Sequence, residues 1–186
     1  MLTATTGSSL VRPPAEDGEP LVLAAMDGDR AAFAQLYAQY ARMIHGILLS
    51  RVPRLHVEDL VQDVFMMAMQ RLSSLRSPAA FGGWLATIAR NHATDHLRSA
   101  PRTTELPEAL PDRFPNRTEA TVEATAVMEI VRGLPEAYRE TLTLRLVEGM
   151  TGPEISARTG LSEGSVRVNL HRGMKLLRER LEGRSA

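Results

Sequence analysis

The C-terminal stretch places the strongest constraint on the fold of this chain. Between positions 161 and 181 apolar residues recur every three or four positions, and this spacing predicts an amphipathic helix. The apolar stripe consists of Val166, Leu170, Met174, Leu177 and Leu181. The opposite side is basic and carries Arg167, His171, Arg172, Lys175 and Arg178. Ser162 stands just before the helix and is a suitable N-cap.

A shorter helix is predicted immediately before it. Thr151 and Glu154 have the spacing of a capping box, Pro153 is tolerated in a first turn, and Gly160 is suited to end the helix. A helix, a glycine-containing turn and a longer basic helix are typical of a helix-turn-helix, whose second helix lies in the DNA major groove. Residues 134–156 predict a third, supporting helix. An ordinary amphipathic pair with a solvated basic face is the alternative that these residues leave open.

Composition narrows the class of protein. The chain has 186 residues, 44% of them hydrophobic, which is enough for one medium domain or two small ones. It has no run of roughly 20 apolar residues and no secretory signal, so we expect no direct membrane insertion. It has no cysteine, which excludes disulfides and fits a cytoplasmic protein. The formal net charge is zero, but from Leu161 onward six Lys/Arg stand against three Glu, so the C-terminal end is basic.

The chain as a whole divides into four parts. Residues 1–20 are small, polar and rich in proline and glycine, which predicts a disordered leader. Residues 21–98 keep helical spacing and predict an N-terminal helical domain, although Gly82-Gly83 favours a loop at the start of its last helix. Four of the eleven prolines fall between positions 101 and 115, so residues 99–121 are predicted to be a flexible linker. Residues 122–182 then form the helix-turn-helix domain. The expected fold is therefore all-α, with two small helical domains.

Two helices of the N-terminal domain carry polar faces. In the segment 56–75, Asp59, Gln62 and Asp63 line a polar face beside an apolar stripe. This face is either simply solvated or a docking surface for a basic protein. In the segment 81–98, Trp84, Asn91 and Arg98 fall near one edge of the helix, because their spacing is close to multiples of 3.6 residues.

Four segments together carry a resemblance to a known family. They are EDLVQDVF (58–65), FGGWLATIARNHATDHLR (81–98), LPEAYRETLTLRLVEGMTGPEIS (134–156) and LSEGSVRVNLHRGMKLLRERL (161–181). In this order they resemble bacterial RNA polymerase sigma factors, and more narrowly the extracytoplasmic-function (ECF) group. The resemblance covers nearly everything except the leader and the linker. It implies a promoter-specificity subunit that is not itself an enzyme and needs no cofactor.

The resemblance also implies a role for each polar surface. Asp59, Gln62 and Asp63 would dock on core RNA polymerase. The nontemplate strand of the minus-ten element would be read by Trp84, Arg90, Asn91 and Arg98. The minus-thirty-five duplex of the promoter would be contacted by Arg167, Val168, His171, Arg172 and Lys175. Such proteins are commonly held by an anti-sigma factor, which is the third expected partner.

Other interpretations compete with this one. A stand-alone helix-turn-helix regulator explains the C-terminal domain but leaves the acidic helix and the Trp84 edge without a role. Trp84 can also be a plain core residue. His92 and His96 have a metal-binding spacing, but there is no HExxH glutamate and no obvious third ligand, so no metal site is expected. Asp59 and Asp63 have no accompanying nucleophile or glycine-rich loop, which argues against a catalytic pair.

Overall fold

The computed structural model describes residues 18–99 and 119–183, and these ranges contain α-helices and short 3-10 helices but no strand. This confirms the predicted all-α fold. The helices are α1 (Gly18–Met26), α2 (Arg30–Leu49), α3 (Val57–Arg71), α4 (Phe81–Ser99), α5 (Glu119–Arg132), α6 (Glu136–Leu146), α7 (Gly152–Thr159) and α8 (Glu163–Glu182). The 3-10 helices span Arg54–His56, Leu72–Ser74 and Pro78–Ala80. We call α1–α4 the N-terminal bundle and α5–α8 the C-terminal bundle.

The N-terminal bundle is arranged around α2. The Asp29 carboxylate caps this helix by accepting hydrogen bonds from the backbone N–H groups of Ala31 and Ala32, at 2.7 and 3.2 Å. Helices α1, α3 and α4 all pack against α2. Its fully buried side chains include Leu36, Met43, Ile44, Ile47 and Leu48. Burial of this stripe, rather than helix propensity, holds the bundle together.

The C-terminal bundle contains the predicted helix-turn-helix, formed by α7 and α8. Thr151 and Glu154 make both hydrogen bonds of a capping box at the start of α7. Gly160 ends α7 with φ of +76°, a conformation that favours glycine. The Ser162 hydroxyl accepts a hydrogen bond from the Ser165 N–H and caps α8. The local sequence signals therefore set the two helices and the turn between them.

Several boundaries differ from the sequence prediction. Residues 18–20 lie in α1 and not in the leader, because burial of Val22 and Ala25 stabilises this short helix and Pro20 is tolerated in a first turn. Ser99 ends α4 and Glu119 begins α5, so both helices extend into the predicted linker. The rest of the predicted leader (1–17) and linker (100–118) lie outside the described residues.

The two bundles pack directly on each other. Leu144, Met150, Ile155 and Val166 of the C-terminal bundle are buried in the same apolar cluster as the α2 core. A second, smaller cluster lies within the C-terminal bundle and contains Ile130, Val131, Leu134, Leu142 and Leu177. The C-terminal bundle thus divides its apolar side chains between its own core and the interface.

Glycines permit the close approach at this interface. A Cβ atom at Gly82 would lie 2.3 Å from the carbonyl oxygen of Arg158 on α7. A Cβ atom at Gly46 would lie 2.7 Å from a methyl carbon of Leu144. The prediction of a loop at Gly82-Gly83 is wrong, since both residues lie inside α4. Low helix propensity is outweighed there by packing, because only glycine allows α4 to approach α7 so closely.

The glycine contact gives a test of the packing. We expect Gly82→Ala to lower the free energy of unfolding by about 1–3 kcal/mol, because the added methyl group meets rigid backbone. Gly83→Ala is the matched control, since its Cβ would meet its nearest atoms at an ordinary 3.6 Å. Both changes bring a similar gain in helix propensity, so urea unfolding of the pair isolates the packing cost. Equal stability of the two variants would contradict the close approach.

Candidate nucleic-acid and protein interfaces

The basic face of α8 is open to solvent. Val166, Gly173 and Leu177 are the buried side of this helix. The residues predicted to contact the upstream duplex, namely Arg167, Val168, His171, Arg172 and Lys175, are all exposed. The Lys175 ammonium lies 3.9 Å from the Glu179 carboxylate. Such a weak surface pair leaves the lysine available for a phosphate.

The acidic face of α3 is exposed as well. Leu60, Val61 and Val64 are buried, which leaves Asp59 and Gln62 exposed on the other side. Asp63 is half exposed, and its Oδ2 lies 3.3 Å from His92 Nε2 on α4. The exposed side chains of Met66 and Met69 adjoin this face. The surface is therefore acidic with an apolar margin.

The edge of α4 is divided between solvent and core. Asn91 and Arg98 are exposed, and Arg98 Nη1 lies 3.7 Å from Asp95 Oδ1. The Trp84 ring is half buried, lies 5.9 Å from the Phe81 ring and packs against the shared apolar cluster. Trp84 is thus packed against the core and remains partly accessible to solvent.

Arg90, the fourth residue predicted to contact the minus-ten strand, is occupied by another partner. Its Nη2 and Nε donate to the two carboxylate oxygens of Glu140 on α6, at 2.7 and 3.1 Å. Arg51, just beyond α2, donates to the same carboxylate at 2.8 Å and to Glu136 at 2.6 Å. We call Arg51, Arg90, Glu136 and Glu140 the Glu140 cluster. It joins the two bundles, and each bundle contributes charges of one sign.

Burial makes the Glu140 cluster electrostatically strong. The side chains of Glu140 and Arg51 are 6% and 8% exposed. Burial by itself raises the pKa of the Glu140 carboxyl, but hydrogen bonds and charge from Arg90 and Arg51 outweigh it and hold that pKa below its usual value. In turn, the hydrogen bonds with Glu140 and the negative charges of Glu140 and Glu136 raise the pKa of the Arg90 guanidinium, although burial opposes this. The Glu140 carboxylate is therefore ionised and forms ion pairs with both arginines.

A second buried carboxylate of the C-terminal bundle meets α2. Glu148 Oε1 lies 2.6 Å from His45 Nδ1, and the guanidinium of Arg42 lies 3.9 Å from the other oxygen. The hydrogen bond with Glu148 raises the pKa of the His45 imidazole, although burial opposes this. Arginine side chains of the C-terminal bundle add hydrogen bonds to backbone carbonyls of the α2 segment, from Arg132 to Leu49 and Val52 and from Arg158 to Gln39.

The pairing of these residues across the interface was missed at the sequence level, where Arg90 was named only as a minus-ten contact. Glu140 and Arg90 are separated by fifty residues. Helical periodicity identifies which face of a helix is apolar, but it does not tell which distant charge will meet that face. A charged residue within an apolar stretch, such as Glu140 in the segment RETLTL, is the only local indication that the charge has a buried partner. This indication is weak.

The described ranges contain no cluster of three or more residues suited to hold a metal ion. His92 contacts Asp63, and the His96 ring lies 4.8 Å from the His56 ring. Among the described helices, none combines the length and apolar character needed to cross a bilayer.

Two family models match the chain. Sigma-70 region 2 matches residues 36–103, which lie mostly in the N-terminal bundle. Sigma-70, region 4 matches residues 124–177, which lie in the C-terminal bundle. The helix-turn-helix with its basic face thus falls in region 4, and the acidic face of α3 and the edge of α4 fall in region 2.

Curated relatives match over most of the chain. The ECF RNA polymerase sigma factor SigF of Caulobacter vibrioides is 30% identical, and the match covers 87% of this chain and 92% of SigF. The RNA polymerase sigma factor CarQ of Myxococcus xanthus is 30% identical, with 83% of this chain and 92% of CarQ covered. The ECF RNA polymerase sigma factor BldN of Streptomyces coelicolor is also 30% identical, and the match covers 89% of this chain and 68% of BldN.

Two solved structures have a similar fold. CnrH, solved in complex with the cytosolic domain of CnrY, matches with a TM-score of 0.63 and 26% identity over 89% of this chain and 97% of CnrH. The sigma factor RpoE from Bartonella quintana, solved with the anti-sigma factor NepR, has a TM-score of 0.55 and 21% identity over 81% of this chain and 96% of RpoE, and this likeness concerns the fold alone. The matched regions and the near full-length relatives show that this chain belongs to the extracytoplasmic-function group of RNA polymerase sigma factors.

Proposed function

We propose that this protein binds core RNA polymerase in the cytoplasm and directs it to a specific set of promoters. The observation that carries the proposal is the exposure of two surfaces of opposite charge, on α3 and α8, in one chain of this family. In this role the protein supplies recognition and leaves catalysis to the polymerase. It therefore acts without a catalytic site, cofactor or metal of its own.

The acidic face of α3 is the proposed polymerase contact. Asp59, Gln62 and Asp63 combine charge with amide hydrogen-bonding groups, and Met66 and Met69 supply apolar contact area at the margin. Long-range attraction to a basic partner speeds association, while the apolar margin adds affinity.

The edge of α4 is the proposed minus-ten surface. An exposed asparagine amide both donates and accepts, so Asn91 matches the Watson–Crick edge of a base that has left its pair. Arg98 is exposed and suited to an adjacent phosphate, and the accessible side of Trp84 offers a stacking surface. Arg90 belongs to this surface only after it leaves Glu140.

The basic face of α8 is the proposed minus-thirty-five surface. Arg172 and His171 are exposed on α8 and are the proposed contacts to base edges. Arg167 and Lys175, which are also exposed, are the proposed contacts to phosphates. Val168, 43% exposed, can contact a thymine methyl group. One small module of this kind buries limited DNA surface, so tight promoter binding requires the polymerase and the minus-ten contact in addition.

An anti-sigma factor is the proposed regulatory partner. The structural match to CnrH supports this, since CnrH was solved with the cytosolic domain of a second protein. The stand-alone regulator is the weaker alternative. It gives the acidic face of α3 no role, and family membership does not favour it.

The proposed function predicts that this protein makes core polymerase initiate at specific start sites in vitro. Asp59→Arg should weaken binding to core polymerase about ten-fold or more, a cost of at least about 1.4 kcal/mol, because it places like charges together. Asp27→Arg, a reversal in the exposed turn after α1, is the control and should leave binding unchanged. If the wild-type protein supports no specific initiation across a promoter library, the proposed function is wrong.

The α8 surface predicts two different mutant phenotypes in the holoenzyme. Arg172→Ala should cost about 1–3 kcal/mol and relax specificity at one position of the upstream element, as for loss of a bidentate base contact. Lys175→Ala should weaken binding evenly across sequences and lower the salt dependence by roughly one ion, as for loss of a phosphate contact. Binding to a library of upstream elements at several salt concentrations separates the two. An identical, sequence-independent loss in both variants would contradict the base contact of Arg172.

A further inference from the structure

Helix α3 carries two methionines on the same side as its acidic face. Met66 lies one turn beyond Gln62 and two turns beyond Asp59, and Met69 lies two turns beyond Gln62. The buried side of α3, which includes Val64, is complete without either methionine. Met66 and Met69 therefore extend the acidic face and do not belong to the core.

Exposure separates these two methionines from the others. The side chains of Met66 and Met69 are 56% and 57% exposed, and every other methionine in the described ranges is buried or half-buried. Met43 and Met150 lie in the core at 0% and 2% exposure. A dissolved oxidant therefore reaches the thioethers of Met66 and Met69 far more easily than those of the core.

The chain offers an oxidant no thiol. It has nine methionines and no cysteine. Accessible cysteine thiolates are the usual sites of peroxide oxidation in redox-sensitive proteins. The sulfur chemistry of this protein is instead confined to thioethers, and the two exposed thioethers of the described ranges both lie on α3.

Oxidation of a thioether by hydrogen peroxide needs no further group from the protein. The sulfur lone pair attacks one peroxide oxygen, so an S–O bond forms and the O–O bond breaks with release of hydroxide. The transferred oxygen loses its proton, the hydroxide takes up a proton, and the products are one sulfoxide and one water. The sulfur is oxidised by two electrons and the peroxide is reduced by two. The sulfoxide is polar, and reductases return it to the thioether.

Building on the proposed function, we propose that Met66 and Met69 form an oxidation site that releases this protein from core polymerase. As thioethers they are the apolar margin of the docking face and adapt to a partner surface. As sulfoxides they bring polar oxygens into that contact, and an oxygen desolvated there without a hydrogen-bond donor weakens binding. The protein stays folded, because neither side chain belongs to the core. Peroxide thus turns promoter-specific transcription down, and reduction of the sulfoxides restores it.

The first test locates the modification. Full-length protein is treated with hydrogen peroxide and digested, and fragment-ion mass spectrometry assigns the added oxygen to individual methionines. Met66 and Met69 should be oxidised about ten-fold faster than Met43 and Met150 or more, since susceptibility follows exposure. Equal rates at the exposed and core positions would overturn the proposal.

The second test measures the affinity for core polymerase before and after oxidation. Wild-type binding should weaken about ten-fold, and sulfoxide reductases for both epimers should restore it. Met66→Leu with Met69→Leu leaves α3 no exposed sulfur, so its affinity, whatever the starting value, should not change on oxidation. Met128→Leu with Met174→Leu, in the C-terminal bundle, is the matched control and should weaken as much as wild type. An unchanged wild-type affinity, or an equal loss in the Met66/Met69 leucine variant, would overturn the proposal.

The third test imitates the sulfoxides without an oxidant. Met66→Gln with Met69→Gln puts polar side chains of similar length on α3 and should weaken binding about ten-fold with unchanged helicity by circular dichroism. Normal binding by this variant would contradict the proposal. Loss of helicity would contradict it as well, since the two side chains would then belong to the fold. If the unoxidised wild-type protein does not bind core polymerase, the proposed function itself is wrong, which separates the two claims.

Discussion

The contact on which this structure depends most is the carboxylate of Glu140 between the guanidiniums of Arg51 and Arg90. It joins α6 to the end of α2 and to α4, so three helices from two bundles meet at one buried charge. An ionised carboxylate at 6% exposure is tolerated only with such partners, because desolvation would otherwise neutralise or expel it. Other features of the interface are fitted to the same packing. Gly82 lets α4 reach α7, and Glu148 meets His45 further along α2.

An intact buried ion cluster makes only a small net contribution to stability, but loss of one partner is costly because it leaves a buried charge uncompensated. Hydrophobic residues of similar volume would often hold the bundles together at least as well. They would not offer a contact that a DNA phosphate can replace on the same guanidinium. The Glu140 cluster thus connects the packing of the protein to its proposed function through a single side chain, Arg90.

Much of the local structure could be predicted from the sequence. Thr151, Gly160 and Ser162 identified the ends of α7 and α8, because caps act within a few residues of themselves. Helical spacing identified the exposed faces of α3 and α8. The loop predicted at Gly82 was wrong for a physical reason: propensity describes an isolated helix, whereas this glycine is required by a neighbouring helix from the other bundle.

The interface between the bundles could not be predicted in the same way. Glu140 and Arg90 look like ordinary helix residues, and only the three-dimensional packing shows that each is the partner of the other. The roles of Asn91, Arg98 and Trp84 on the minus-ten surface remain predictions. They follow from the exposure and chemistry of these residues and from the family to which the chain belongs.

Single-molecule energy transfer between the bundles tests the central claim most directly. Gln70→Cys on α3 and Glu182→Cys on α8 are exposed positions, one in each bundle, for a dye pair in a chain without other cysteines. Our account predicts one compact, high-transfer population for the free protein, and a second, low-transfer population when Glu140→Gln weakens the contact between the bundles. A wild-type protein that samples long distances, or a Glu140→Gln variant with unchanged transfer efficiency, would contradict it.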